Sequence, residues 1–186
     1  MEIREAHPGD LPVLVALEAI AQSTPGRSRV ISDAVGNGEC LIAARDQVIG
    51  YLVLKHSFFG NGFIELLYVR EDARRQGIGR TLMLAAEARC RTPKLFTSAN
   101  ESNAPMHSLL GALGYRESGI IHNLDPSDPE IVYVRLPVGW SLWRQDDHGT
   151  KFEVSRDHTR EEAEHLKDEF EARGHKQIYW IVPTRS

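Results

Sequence analysis

Residues 67–80 read Leu-Tyr-Val-Arg-Glu-Asp-Ala-Arg-Arg-Gln-Gly-Ile-Gly-Arg, an apolar alternation that runs into a basic, glycine-bearing stretch. The pattern predicts a strand, a charged loop over Arg70–Gln76, and a helix opened by Gly77-Ile78-Gly79. The first amides of a helix have no partner inside it, and the helix dipole adds about half a positive charge there. Gly77 and Gly79 leave the main chain open to a ligand, and Arg74, Arg75 and Arg80 add formal charge. That chemistry suits a diphosphate. Two familiar phosphate loops are excluded: no Gly-x-x-x-x-Gly-Lys-Ser/Thr occurs, and Leu82 stands where Gly-x-Gly-x-x-Gly needs its last glycine. A basic loop before an ordinary glycine-assisted helix would look the same locally, so the neighbouring elements must decide.

Those elements begin with a short strand over Met1–His7, a turn at Pro8-Gly9-Asp10, and an amphipathic helix carrying Leu11, Leu14, Val15 and Leu17. Thr24-Pro25-Gly26 is expected to break it, and a shorter helix around Arg29–Val35 to end at Gly36-Asn37-Gly38. Glu39–Arg45 and Val48–Ser57 read as a hairpin, followed by a turn at Gly60-Asn61-Gly62 and a strand over Phe63–Val69. In the helix after the basic loop, Ile78, Leu82, Ala85 and Ala86 recur at helical spacing, and Pro93 closes the segment. Then come a strand at Lys94–Ser98, a polar loop at Asn100–Asn103, a helix over Pro105–Leu113 stopped by Gly114, and β-prone runs at Tyr115–Leu124 and Glu130–Leu136. The order describes an α+β fold, a mixed sheet flanked by helices.

With that context the stretch resembles motif A of the GNAT superfamily, the acyl-CoA-dependent N-acyltransferases. Leu67, Val69, Arg74, Gly77 and Gly79 match its positions, while Glu71 stands where proline is common. Asn103, with Gly114-Tyr115 eleven and twelve residues on, is similar to the family's second signature. The resemblance covers residues 1–137. It implies an opening between the fourth and fifth strands that takes acetyl-CoA as co-substrate, with no metal. The backbone of Leu67 and Val69 would pair with the pantetheine arm, and the Val69 N–H would donate to the thioester oxygen. The amides of Gln76, Gly77, Ile78, Gly79 and Arg80, beside Arg74 and Arg75, would hold the diphosphate, and Asn103 the pantetheine. The implied reaction is direct attack by a primary amine of a small molecule or peptide.

Attack by a neutral amine calls for a base, and Glu65 is the candidate: a carboxylate within an apolar strand, which the pattern expects to be hard to ionise. An outward-facing residue, or one pairing with the substrate ammonium, is the alternative. Where the family often has a tyrosine as acid, this chain has Leu110; His107, one turn earlier, is the substitute candidate, ahead of Tyr115 and Ser108, and solvent can protonate a thiolate unaided. Loss of that tyrosine keeps open a non-catalytic CoA-sensing or protein-binding module. The turn Leu124-Asp125-Pro126-Ser127-Asp128-Pro129-Glu130 reads as a proline-set hairpin connection or as an acidic wall that draws cations.

From about residue 138 the pattern restarts as a small ββαβ unit: strands at Trp140–Gln145 and Lys151–Val154, a capping box at Thr159 and Glu162, a helix burying Ala163, Leu166 and Phe170, and a strand at Gln177–Val182. Residues 140–182 resemble the small SPOR-like units of bacteria. All three tryptophans lie here, and they are expected to supply its core together with an interface, as in a homodimer, or a lid.

The whole chain has 186 residues, 22 Lys+Arg against 26 Asp+Glu, and a net charge of −4. That balance disfavours nucleic acid as a partner. No apolar run is long enough for a membrane helix, and the first residues lack a secretory pattern. Two distant cysteines, Cys40 and Cys90, argue against a disulfide or zinc framework. The expectation is a cytoplasmic protein.

Overall fold

The strand Val48–Phe58 is apolar on both faces over its first seven residues, all of them buried, and such a strand requires cover on both sides. The computed structural model, which describes residues 1–17, 25–136, 139–174 and 177–183, supplies it. The chain divides into two units, residues 1–135 and 136–186.

In the first unit β1 (Glu2–Glu5), α1 (Leu11–Leu17), α2 (Pro25–Gly36), β2 (Cys40–Ala44), β3 (Val48–Phe58) and β4 (Asn61–Val69) precede α3 (Ile78–Arg89). After it come β5 (Leu95–Asn100), α4 (Ala104–Ala112), β6 (Arg116–Ile121) and β7 (Glu130–Arg135). The seven strands lie in the order β1-β2-β3-β4-β5-β7-β6. Every neighbouring pair is antiparallel except β4 and β5. One face packs Leu52, Leu54 and Ile64 against Ile78, Leu82 and Met83 of α3 and Leu110 of α4. The other packs Ile42, Tyr51, Val53 and Leu66 against Leu14 of α1 and Ile31 of α2.

Two boundaries differ from the sequence pattern. The expected break at Thr24 lies outside the described residues, and Pro25 and Gly26 are the first residues of α2, where proline's fixed φ and missing N–H cost nothing in a first turn. Asn61 and Gly62 belong to β4, and the turn is made by Phe59 and Gly60, both at positive φ. At the start of α1, Asp10 is buried; it accepts from Arg4 at 2.8 and 2.9 Å and from the His7 N–H at 2.9 Å. The Arg4 guanidinium holds its carboxyl down to about pKa 2.

In the second unit β8 (Trp140–Gln145), β9 (Lys151–His158), α5 (Arg160–Ala172) and β10 (Ile178–Pro183) form an antiparallel sheet in the order β10-β8-β9 with one helix. Thr159 Oγ1 accepts from the Glu162 N–H at 3.2 Å while Glu162 accepts from the Thr159 N–H at 2.8 Å, the reciprocal cap that the sequence predicts. The tryptophans do not form this unit's core. Among the described residues Leu142, Ala163 and Tyr179 are its buried apolar residues, whereas Trp140, Trp143 and Trp180 are half-buried, as are Leu166 and Phe170. Indole rings are wide enough to keep an exposed edge in so thin a unit, and Arg160 and Lys151 cover the rings of Trp140 and Trp180.

Candidate active site

Three ladder pairs join β4 to β5: Gly62 with Leu95, Phe63 with Phe96 and Ile64 with Thr97. The last is pinned by the buried Thr97 hydroxyl, which donates to the Ile64 carbonyl at 3.0 Å. β5 continues to Asn100 along β7, while β4 leaves it after Ile64. The cause lies on the other side of β4, where Val53 faces Leu66 but Leu54 faces Ile64. Glu65 is thus one extra residue, a β-bulge, and it reverses the inward-outward phase of the strand. Upstream, Ile64 points to the α3–α4 face; downstream, Leu67 and Val69 do, and Leu66 and Tyr68 turn to the α1–α2 face.

The same ladder sets the main chain of β4. Arg70 N–H donates to the Ile49 carbonyl at 2.9 Å, and with antiparallel alternation this directs the peptide groups of Leu66 and Tyr68 at β3 and those of Leu67 and Val69 into the gap. The gap opens a cavity of about 930 Å³ walled by Leu67, Val69, Gly79, Met106 and Leu109.

The basic loop closes one end of that cavity. Arg75 and Gly77 both adopt left-handed backbone, at φ 59° and 80°, and Gly77 caps α3 with no side-chain partner. The first helical bond is Thr81 N–H to the Gly77 carbonyl at 3.0 Å, so the N–H groups of Ile78, Gly79 and Arg80 have no acceptor inside the helix. Left-handed turns of this kind gather N–H groups into an anion-binding hollow. Arg74 bends back so that Nε donates to the Val69 carbonyl at 3.0 Å, tying loop to strand, and it lines the cavity with Arg75 and Arg80. Ile78 is buried, so it offers only its N–H. Gln76 is turned away: its side chain donates to the Asp72 carbonyl and accepts from Arg45, both at 3.1 Å, and it braces the loop. A Cβ at Gly79 would meet Leu109, Val69 and Leu67 side chains at 3.5–3.9 Å, so the missing atom keeps the apolar wall recessed where an extended chain would lie. Asn103 caps α4, its side-chain oxygen accepting from the Met106 N–H at 3.2 Å, and it lines the cavity with its amide NH2 not used in that bond.

The proposed acid–base residues fare differently. Glu65 is not isolated among apolar side chains. Lys55 of β3 places its ammonium 2.5 Å from the Glu65 carboxylate, and both groups are partly exposed, 26% and 33%. A lysine seven residues into the neighbouring strand was invisible to a reading of β4 alone. Neither Glu65, which stands beside the point where β4 and β5 part, nor His107 is among the cavity-lining residues. The His107 Nε2 donates to the Glu101 carbonyl at 3.0 Å, and its Nδ1 is hydrogen-bonded with the Tyr133 hydroxyl at 2.8 Å. Leu110 is wholly buried in the α3–α4 core, and Ser108 donates to the Ala104 carbonyl within α4. Tyr115 is buried against Glu87, and burial raises its pKa far above the ordinary tyrosine value.

The acidic turn is a brace. Asp125 accepts from Asn100 Nδ2 at 2.8 Å, and Asp128 accepts from the Ser102 N–H and hydroxyl at 3.0 and 2.7 Å. Cys40 is fully buried, which pushes its thiol up to about 12, and no group of metal-ligating side chains occurs among the described residues. No helix among them is long and apolar enough to cross a membrane.

Sequence reasoning missed Met106 and Leu109, whose three-residue spacing from Asn103 marks one face of α4, and it missed the bulge, which has no compositional signal.

The profile of the acetyltransferase (GNAT) family matches residues 14–115. A GNAT-family acetyltransferase of Bacillus cereus ATCC 10987 is 31% identical over 73% of this chain and 96% of its own, with a TM-score of 0.68. The ribosomal-protein-S18-alanine N-acetyltransferase of Escherichia coli shares the fold at 20% identity, covering 73% of this chain and 92% of its own, with a TM-score of 0.62. So does the PaiA N-acetyltransferase of Thermoplasma acidophilum, solved with coenzyme A, at 18% identity, 73% and 98% coverage, and a TM-score of 0.60. No curated protein sequence matches the chain. The split sheet, the open main chain of β4 and the amide-lined start of α3 agree with the profile: this chain belongs to the GNAT acetyltransferase family, enzymes of acyl-CoA-dependent N-acetylation.

Proposed function

We propose that the protein transfers an acetyl group from acetyl-CoA to a primary amine of a small molecule or peptide. One observation carries the reading: the unpartnered N–H groups of Ile78, Gly79 and Arg80 stand at one end of a cavity along which the Leu67 and Val69 peptide groups are exposed. The first set suits a diphosphate and the second an extended amide chain such as pantetheine. The coenzyme A bound to the Thermoplasma acidophilum relative supports the same choice. Acetyl-CoA supplies the activated acyl group as its thioester.

In this reading the Val69 N–H donates to the thioester oxygen and stabilises the charge that develops there. Arg74, Arg75 and Arg80 neutralise the phosphates, while Gln76 holds the loop in shape. The Asn103 amide donates to the pantetheine. Glu65, the first residue past the point where β4 and β5 part, receives the acceptor ammonium and takes its proton directly or through water. With Leu110 in the core and His107 bonded to Tyr133, α4 supplies no acid, and solvent protonates the thiolate.

That absence on α4 favours the second reading, a non-catalytic CoA-sensing module. Thiol release from acetyl-CoA across amines, amino acids and peptides separates the two. Release with any acceptor supports transfer, and cofactor binding without release from any of them supports sensing. The SPOR-like character of the second unit, a homodimer and a bacterial cytoplasmic setting belong to the proposal and rest on the sequence pattern.

A further inference from the structure

The α1–α2 face of the sheet continues past the bulge into a patch that the cofactor reading does not use. Lys55 is the ladder partner of Phe63, and Phe63 of Phe96, so the three side chains stand on one face. Phe58 stacks on Phe63 with centroids 4.7 Å apart and lies 5.2 Å from Phe96. All three rings are half-buried, and Phe59 beside them is 90% exposed. Glu65 reaches this face through its contact with Lys55, directly beside the point where the strands part.

Carboxylate, ammonium and aromatic floor are thus adjacent. Their ion pair runs to one Glu65 oxygen and both side chains are partly exposed, so a carboxylate acceptor and an ammonium donor are both open to a ligand. A plain amine would bring an ammonium to Glu65 and leave Lys55 displaced, and a polyamine would add a second cation against it. A peptide N-terminus offers no carboxylate at the right separation. A zwitterion satisfies both groups at once.

Resting on the acetyltransferase reading of the site, we infer that the acceptor is a free α-amino acid with an aromatic or bulky apolar side chain. Glu65 takes its ammonium, Lys55 its carboxylate, and Phe58, Phe63 and Phe96 its side chain. The ammonium loses one proton before attack and the nitrogen a second as the amide bond forms. The C–S electron pair leaves on sulfur, the thiolate takes up one of those protons, and the other goes to solvent.

The test measures kcat/KM for thiol release by the full chain with L-phenylalanine, L-phenylalaninamide, 2-phenylethylamine and L-alanine, with products identified by mass spectrometry. Free phenylalanine is expected to exceed each of the others by at least about tenfold, because a site built for a polar group rejects the analogue lacking it. Lys55→Gln is expected to bring phenylalanine and its amide within about twofold of each other, and Phe63→Ala to close most of the gap to alanine. Equal or better turnover of the amide or of phenylethylamine, or a preference that survives Lys55→Gln, overturns the inference and leaves the acetyltransferase standing. Thiol release with none of the four, but with an amine that is not an aromatic or bulky apolar α-amino acid, does the same. Release with no amine at all removes the acetyltransferase reading and the inference with it.

Discussion

The two sides of the β4–β5 gap are built from different materials. The anion side is main chain: left-handed Arg75 and Gly77, and the amides of Ile78, Gly79 and Arg80. The side proposed for the acceptor is side chain: Lys55, Glu65 and three phenylalanines gathered from three strands. Main-chain sites depend on local conformation and tolerate change in all but a few residues. Side-chain sites depend on register and change with each substitution. Under the proposed reading, one side defines a family and the other chooses a substrate.

The largest break in that contrast is Gly77→Glu. A side chain at φ 80° is strained, and its carboxylate faces the anion site, so acetyl-CoA affinity by calorimetry should fall at least about 100-fold. Gly77→Asn, which tolerates left-handed backbone, should keep most of it. Next comes Glu65→Gln, expected to lower kcat by about 10²-fold or more with cofactor affinity unchanged. An unaltered kcat would remove Glu65 from the proton path.

A smaller effect lies outside both sides. Asp10→Asn should cost about 1–3 kcal/mol of stability by denaturant titration, since it breaks a charge-assisted pair with Arg4. Because the Asp10 carboxyl titrates at about 2 when folded against an ordinary 3.8, its contribution is complete above about pH 4 and fades as pH falls towards 2. The wild type should lose melting temperature across that window and the variant should not lose this part of it. The smallest effect belongs to His107→Gln. With the ring bonded to Glu101 and Tyr133 outside the cavity, turnover should stay within about twofold, and a larger loss would return an acid to α4.

The same division explains what could be read from the sequence. Gly77, Gly79 and the arginines announce a loop because glycine spacing encodes backbone conformation, and Asn103 falls in the polar loop read before a helix. The succession of strands along the chain followed from their alternation, but their order in the sheet did not. Glu65 could be placed on β4, but its partner could not. Lys55 meets it only through a pairing register that slips by one residue at the bulge, and no composition marks that slip. His107 looked available because helical spacing puts it one turn from Leu110. The structure turns it to Tyr133, a residue 26 positions later on β7. The aromatic floor was equally hidden, since Phe58, Phe63 and Phe96 sit at unrelated positions until the ladder aligns them.

The extra residue at Glu65 also uncouples two jobs on one strand. Odd-numbered positions before it, such as Phe63, share the face of Lys55 and the proposed acceptor, and odd-numbered positions after it, Leu67 and Val69, share the face of α3 and line the cavity proposed for the carrier. Descendants of this chain can therefore exchange one group of side chains for a new diet while the other group stays untouched, and a single-residue deletion there would forfeit that independence.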